Sequence, residues 1–427
     1  MITRPRRPGC NMPDAEMIRA CLREHLRGLP RLERLRAYYG GRHDILHRTR
    51  DPGLPNNRLA HGFPRYISTM AAGYLIGNPV SYAAGKEDPR AEEALSAVMQ
   101  EYQACAMDSV DAELAKNASI FGRGVELVFA NEEARPRSAA LNPEHAFVVY
   151  DDTVECRPQF GIYFAPIRRT DGETGGWHVH VFTETRQITY RTANLADFSA
   201  HSIESDKPHF FGGVPMIEYW NDEEERGDFE GVLSLVDAYD LLESDRMNDK
   251  QQFVDALLLL YGCTMETDDR GRTPGQQLRE DKALALPDSD ARAEWLCKQM
   301  NEGDTEILKK ALKNDIHKMS LVPAMTDENF AGNASGVAMK YKLLGLEQLT
   351  KIKERWFREG LRNRLRLYGA FMRCLGGYEL NADDVRILFS RSLPVNELET
   401  AQMLNTLNGL IDPEILAARA ETLLNQK

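Results

Sequence analysis

Two pairs of histidines stand at spacings that metal sites use. His43 and His47 lie four residues apart in the segment HDILH, which would bring two ligands to one side of a helix. No Glu follows His43 and no third ligand is evident, so the pattern is more typical of two surface histidines beside a turn. His178 and His180 would share one face of a strand, and an exposed strand face explains that pair. The sequence therefore predicts no metal site.

An acidic pair, Asp151 and Asp152, follows an apolar segment, where carboxylates can hold Mg²⁺. Together with His178 this pair defines the alternative function, a metal-dependent DNA-processing enzyme. No Lys or third carboxylate stands at a recognisable spacing, and Asp-Asp-Thr after a strand is typical of a turn. The chain has no phosphate-binding G-x-x-x-x-G-K-[ST] motif and no G-x-S-x-G elbow. We therefore expect no catalytic site and no cofactor.

The composition limits the kinds of partner that the chain can bind. The chain has 427 residues and a formal net charge of −12. Tight binding to duplex DNA requires clustered Lys and Arg, so this charge argues against a DNA-gripping domain. It is compatible with an acidic surface that repels phosphates and lets DNA pass. The start lacks a secretory signal and the longest apolar run, Ala256 to Tyr261, is too short for a bilayer, so we expect no membrane association.

The first half of the chain predicts helices followed by strands. Apolar spacing indicates two short helices in the first forty residues, separated at Pro30, and a third from about Asn57 to Ile76. Two more helices reach about Phe121. From Gly124 to Asn221 short β-rich runs alternate with turn residues, which predicts an antiparallel β region. The fold class is therefore α+β.

A long acidic helix is predicted from Glu230 to about Ala256, and a second helix from Asp304 to about Ser320. Between them, the sequence indicates a small insertion of strands and turns. The acidic side chains of the first helix could form a solvated face or, in a ring, line a lumen. They are Asp237, Asp240, Glu243, Asp245 and Asp249.

The last third contains a loop and a basic helix. Val322 to Gly336 lacks periodicity and is rich in Asn, Gly, Asp and Ser, which predicts a loop. A helix follows from about Val337 to Leu375. Its many Lys and Arg residues could bind nucleic acid, but its sustained apolar stripe favours a buried element with ion pairs on its flanks. A strand at Val385 to Phe389 and two helices, roughly 397–407 and 413–424, complete the prediction.

Four stretches, in this order and at this spacing, resemble the portal proteins of long-tailed bacteriophages, in the family typified by phages of Gram-positive hosts. They are PNNRLAHGFPRYISTMAAGYLIGNPVSY (55–82), LNPEHAFVVYDDT (141–153), GGVPMIEYWNDEEERGDFEGVLSLVDAYDLLESDRMND (212–249) and IHKMSLVPAMTDENFAGNASGVAMKYKLLGLEQLTKIKERWF (316–357).

The resemblance implies a phage portal fold with a mixed α/β wing, a two-helix stem, a small α/β clip, a long wing helix and a short helical crown. The implied parts are the wing (1–228), stem helices (229–256 and 303–321), clip (257–302), tunnel loop (322–337), long wing helix (338–380) and crown (381–427). Asp327, Glu328, Asn329 and Phe330 are then the candidates for lining the DNA channel. Relatives often continue into a longer acidic tail beyond the position of Leu424, so we expect a small crown here.

The implied function is a ring subunit, in a dodecamer, at the capsid vertex of the virion, assembled in the cytoplasm of the bacterial host. Double-stranded DNA would pass through the ring without sequence specificity during packaging and ejection. The implied protein partners are terminase, which supplies the energy, a head-completion or adaptor protein, and the major capsid and scaffolding proteins. A different capsid or tail scaffold component would also assemble into a ring or shell, without an open channel.

Overall fold

The computed structural model describes residues 1–6, 12–85, 88–170, 172–199, 203–252, 257–261, 267, 271–273, 276, 292–296, 302–325, 340–391 and 405–406. The chain forms two compact units. Unit 1 comprises residues 1–42, 62–233 and 316–427, and unit 2 comprises residues 43–61 and 234–315. Helices and sheets both contribute, and the fold is mixed α and β.

Unit 1 begins with a strand and four helices. They are β1 (Ile2–Arg4), α1 (Ala15–Tyr39), α2 (Phe63–Ile76), α3 (Pro89–Ala104) and α4 (Met107–Phe121), with β2 (Ser81–Ala84) between α2 and α3. The separation predicted at Pro30 is wrong, because α1 continues through it. A proline removes one helical hydrogen bond, but the buried face formed by Ile18, Leu22, Leu32 and Leu35 continues on both sides of it. The predicted start of α2 near Asn57 is also wrong, because residues 57–62 are not helical.

The predicted β region is confirmed as eight strands. They are β3 (Arg123–Ala130), β4 (Pro136–Leu141), β5 (Ala146–Asp151), β6 (Pro158–Arg168), β7 (Thr174–Phe182), β8 (Arg186–Thr192), β9 (Ile203–Pro208) and β10 (Met216–Trp220). One sheet has six strands in the order β1-β5-β6-β7-β8-β9, and another has three in the order β10-β3-β4. All neighbours pair antiparallel except β1 and β5, which are parallel.

The six-stranded sheet buries one face under α1, where Ile18 and Leu22 join Phe147, Phe160 and Val179 in an apolar cluster. Alternate residues of the strands reach opposite faces, so the other face supplies a second cluster. In that cluster Val148 and Phe182 meet Val125 and Met216 of the three-stranded sheet. Two buried apolar clusters, one on each face of the six-stranded sheet, therefore stabilise the β region.

The basic helix of unit 1, α7 (Leu344–Gly376), ends at Gly377, whose φ of +71° suits glycine. The predicted start at Val337 lies outside the described residues; residues 340–342 are helical, and Leu343 separates them from α7. Gly360 lets it approach β10 closely, since a Cβ there would lie 2.4 Å from Cε1 of Tyr219. The strand β13 (Val385–Leu388) pairs with β2. The two predicted terminal helices lie outside the described residues, except that residues 405–406 are helical.

Unit 2 contains α5 (Leu233–Gln252), β11 (Leu257–Tyr261), β12 (Arg292–Leu296) and the first part of α6 (Glu302–Ser320). The strands β11 and β12 pair antiparallel, as an insertion between two helices. Residues 43–61, which we call the strap, also belong to this unit and contain one short 3₁₀ helix, Asp44–His47. The two predicted helices of this region are confirmed, and the predicted continuation of α5 to Ala256 lies outside the described residues.

Candidate functional site

The acidic helix α5 carries a row of polar residues that are buried inside unit 2. Asp240, Ser244 and Asn248 follow one another at intervals of four residues, which places them on one side of a helix. All three are fully buried. Buried polar groups are costly unless they are hydrogen-bonded, so partners for this row are required. The strap provides them.

Asp240 is bound by two histidines of the strap. Its Oδ2 lies 2.5 Å from Nδ1 of His43, and its Oδ1 lies 2.8 Å from Nδ1 of His61. The backbone N–H of His61 also donates to Oδ1, at 2.8 Å. Burial opposes ionisation of this carboxyl, but the hydrogen bonds from His43 and His61 outweigh it and keep its pKa below the ordinary aspartate value. Asp240 is therefore an anchor for both ends of the strap.

The strap also satisfies the other residues of the row. The backbone N–H of Leu59 donates to Oγ of Ser244 at 3.0 Å, and the N–H of Asn57 donates to Oδ1 of Asn248 at 2.6 Å. At these two positions the strap backbone thus bonds to α5 side chains instead of to a neighbouring strand. Each bond fixes one position of the strap along the helix.

The remaining acidic residues of α5 differ in their surroundings. Asp245 accepts from Arg48, at 2.8 Å, and from Arg50 of the strap. Glu243 lies 3.2 Å from Nζ of Lys309 on α6. Asp237 and Asp249 are partly exposed. Of the five predicted acidic residues, Asp240 is thus fully buried, and Glu243 and Asp245 pair with basic side chains within unit 2.

The basic helix α7 uses its charges inside unit 1. Arg364 is fully buried, with Nη2 at 2.6 Å from Oδ1 of Asp111 and Nε at 2.8 Å from Oε1 of Glu126. Burial disfavours its charge, but the two carboxylates keep its pKa well above the ordinary arginine value. Lys353 forms a second buried ion pair, with Asp228. The interpretation of α7 as a buried element with ion pairs is correct for these two residues.

The residues considered for catalysis have structural partners. Asp151 is buried and accepts from Oγ1 of Thr153, at 2.6 Å, and from the N–H of Arg157, at 3.0 Å. The hydrogen bond from Thr153 is the main reason that its pKa lies below the ordinary aspartate value. Asp151 therefore closes a turn, and Asp152 is exposed beside it.

The two histidines of each pair also have different surroundings. Nδ1 of His178 lies 2.9 Å from Oε2 of Glu204, whereas Nδ1 of His180 lies 3.0 Å from Oγ1 of Thr189. His43 is buried against Asp240, while His47 is exposed. Within the described ranges, no three His, Cys, Asp or Glu side chains form a group that could hold a metal ion.

The strap was not predicted from the sequence. His61, Arg48 and Arg50 were not singled out, because nothing in their local pattern distinguishes them from loop residues. The one available signal was in α5, where Asp, Ser and Asn recur every fourth residue. The candidates Asp327, Glu328, Asn329 and Phe330 lie outside the described residues, and their channel role stays a prediction.

Comparison with known proteins identifies the class. A portal protein of Bacillus phage SPP1 is 24% identical over 439 residues, covering 95% of this chain and 83% of that protein. A portal protein of Clostridium phage phiCD119 is 22% identical over 431 residues, covering 94% and 92%. The class is thus that of phage portal proteins, which are structural components of the virion and not enzymes.

The particular family follows from a match over nearly the whole chain. The sequence model described as "Phage portal protein, SPP1 Gp6-like" matches residues 18–427. The chain belongs to this family of phage portal proteins. The predicted family resemblance is confirmed, and the alternative of a metal-dependent DNA-processing enzyme is not supported. Phage portal proteins form oligomeric assemblies in the capsid. No described helix has the length and apolar character needed to cross a bilayer.

Proposed function

We propose that this portal protein closes into a ring of twelve copies at one capsid vertex, through which double-stranded DNA enters and leaves. The family match over residues 18–427 is the observation that carries this proposal. Passage of DNA through such a ring requires no base recognition, since a channel meets only the phosphate surface of the duplex. A separate terminase ATPase would supply the energy for packaging.

The parts of the ring subunit follow the implied layout. The stem would consist of α5 and α6, and the clip of the insertion that contains β11 and β12. The clip would bind terminase during packaging and a head-completion or adaptor protein afterwards. The wing would contact the major capsid and scaffolding proteins, and residues 322–337 would form the tunnel loop. Assembly would take place in the host cytoplasm.

The acidic stem would give the channel a wall that repels DNA. We assign this role to Asp237 and Asp249, because both are partly exposed, whereas Asp240 is fully buried. Like charges on wall and phosphate keep the duplex from adhering. Asp237→Lys and Asp249→Lys are expected to reduce DNA packaging. Unchanged packaging by the double variant would count against the wall.

The direct test of the ring is negative-stain electron microscopy of the purified protein, with native mass spectrometry of the same sample. Rings of twelve copies with a channel wide enough for duplex DNA are expected. A monomer or closed dimer under all assembly conditions would overturn the proposal. Rings with another number of copies would support the proposed channel and change only the proposed number of subunits.

A further inference from the structure

The chain that leaves α6 is bound to α2 by a tyrosine. The hydroxyl of Tyr66, on α2, donates to the carbonyl oxygen of Pro323 at 2.8 Å and accepts from the backbone N–H of Met325, also at 2.8 Å. One side chain thus satisfies two backbone groups of the segment that follows α6. Residues 321–325, which we call the loop root, lie at the start of the proposed tunnel loop, and Tyr66 holds them on α2.

His317, in the last turn of α6, adds a second set of contacts to the loop root. Its Nδ1–H donates to the carbonyl oxygen of Val322 at 2.9 Å, since a carbonyl oxygen can only accept. The imidazole packs edge-on against Tyr66, with ring centroids 5.6 Å apart, and against Phe63, at 5.8 Å. Val322 itself is fully buried. The chain therefore leaves α6 in one fixed direction.

The loop root contains a strained residue. Leu321 has a φ of +58°, in the left-handed region that residues with a side chain rarely adopt. Such a conformation is unfavourable by itself and persists only where surrounding contacts require it. The hydrogen bonds that Tyr66 and His317 make to the next residues supply these contacts. They maintain a turn that the local sequence does not favour.

The start of α7 returns to the loop root. A Cβ on Gly345, in the first turn of α7, would lie 3.5 Å from the carbonyl oxygen of Leu321, so the two chain segments are in contact. About two turns beyond Tyr66 on α2, burial and a hydrogen bond to Glu347 of α7 raise the pKa of Tyr74 to about 12. The helix α2 therefore contacts the chain both where it leaves α6 and where it enters α7.

We propose that Tyr66 is a positioning residue for the DNA channel, because its hydroxyl fixes the loop root to α2. The position of a loop in a channel depends on where its backbone leaves the rigid part of the subunit, so a fixed attachment point sets how closely the loop can approach DNA. No contact between Tyr66 and DNA is required. The inference deepens the proposed function and rests on it.

Tyr66→Phe tests this role in the full-length protein, because it removes only the hydroxyl. The amide of Met325 loses its acceptor, so its hydrogen exchange should accelerate about tenfold, as expected for one lost hydrogen bond. Assembled rings of the variant, supplied with terminase and ATP, should package less DNA per ring at an unchanged yield of rings. Tyr163→Phe is the control, because Tyr163 is also partly exposed but lies on β6. It should change neither measurement.

Unchanged exchange at Met325 in the Tyr66→Phe variant would overturn the contact itself. Faster exchange with unchanged packaging per ring would show that the hydroxyl only stabilises the fold, and would overturn the positioning role. A lower yield of rings that package normally would overturn it as well. Unmodified rings that package no DNA would instead overturn the proposed function, and the two failures are therefore distinguishable.

Discussion

The two charged helices of this protein, α5 and α7, differ in which side chains they bury. The basic helix α7 lies in the core of unit 1 and buries Lys353 and Arg364 against carboxylates from other elements. The acidic helix α5 directs polar side chains to an extended strap and leaves Leu241 in solvent. In α7 the apolar stripe stabilises the subunit. In α5 the buried side is polar, and its side chains are hydrogen-bonded within unit 2.

The net charge of a helix therefore does not indicate what the helix contacts. A basic helix in a phage portal protein suggests phosphate binding, yet Arg364 and Lys353 meet carboxylates of their own unit. An acidic helix suggests a solvated face, yet Asp240 is fully buried.

Removal of the buried cation of α7 should be the most damaging change. Arg364→Met leaves Asp111 and Glu126 buried without their counter-ion, and breaking a buried ion pair costs about 3–5 kcal/mol. The free energy of unfolding, measured with urea, should fall by this amount. Arg373→Met, at an exposed position of the same helix, is the control and should change it by less than about 0.5 kcal/mol. Equal effects of the two variants would contradict the assigned role of Arg364.

Acid should destabilise unit 1 through His25. Burial, together with the charge of Arg123, lowers the pKa of His25 from 6.5 to about 4. Since the unfolded chain takes up the proton first, stability should decrease as the pH falls from 6.5 to about 4, by about 3 kcal/mol in total. Thermal unfolding across this range measures it. His25→Phe, which can retain the stacking on Phe147, should reduce the pH dependence.

The control for this pH effect is His47→Gln, because His47 is exposed. Its pH profile of unfolding should match that of the unmodified chain. A His25→Phe profile as steep as the unmodified one would assign the acid sensitivity to other groups.

Loss of the α5 anchor should open the strap while unit 1 stays folded. Asp240→Asn weakens hydrogen bonds from His43 and His61 and should cost about 2 kcal/mol, the usual value for bonds to a charged group. Hydrogen exchange at the amides of Leu59 and His61 should accelerate about 30-fold, as 1.4 kcal/mol corresponds to tenfold. Asp237→Asn, on the same helix, is the control.

The stabilising contribution of Asp240 should be lost only at low pH. The folded-state pKa of Asp240 is lower than its unfolded value, so its contribution is present above the ordinary aspartate pKa of about 3.9 and is lost as the pH falls through the folded value. The strap should therefore stay bound at pH 5, where His25 already destabilises unit 1. Strap opening at pH 5 before any loss of unit 1 would reverse the predicted order.

The smallest effect is expected for the ion pairs at the edge of the strap. Arg48→Ala removes one of two arginines that bind Asp245, and both Arg48 and Asp245 are partly exposed. Exposed pairs contribute about 0–1 kcal/mol, and Arg50 remains. Exchange at the amides of Leu59 and Asn57 should change less than about fivefold. A change as large as that of Asp240→Asn would indicate that Asp245 is the principal anchor.

Much of the fold was predictable from local patterns. The antiparallel region from Gly124 to Asn221, the helices α3 to α6 and the strand at Val385 follow from apolar periodicity, which reports directly which side of an element is buried. The boundaries at Pro30 and Asn57 were wrong for different reasons. In α1 a continuous buried face outweighs one missing hydrogen bond, and before α2 the chain is held by α5 side chains instead of forming its own helix.

Residue order and spacing along the chain were sufficient to predict the family, the α+β class and the presence of one acidic and one basic helix. The pairing of charges required the folded structure, because partners such as Asp240 and His43, or Arg364 and Glu126, are separated by about two hundred residues of sequence or more. An ion pair depends on distance in space, and no local pattern encodes it. The functional assignment of each charged residue of α5 therefore depended on the fold.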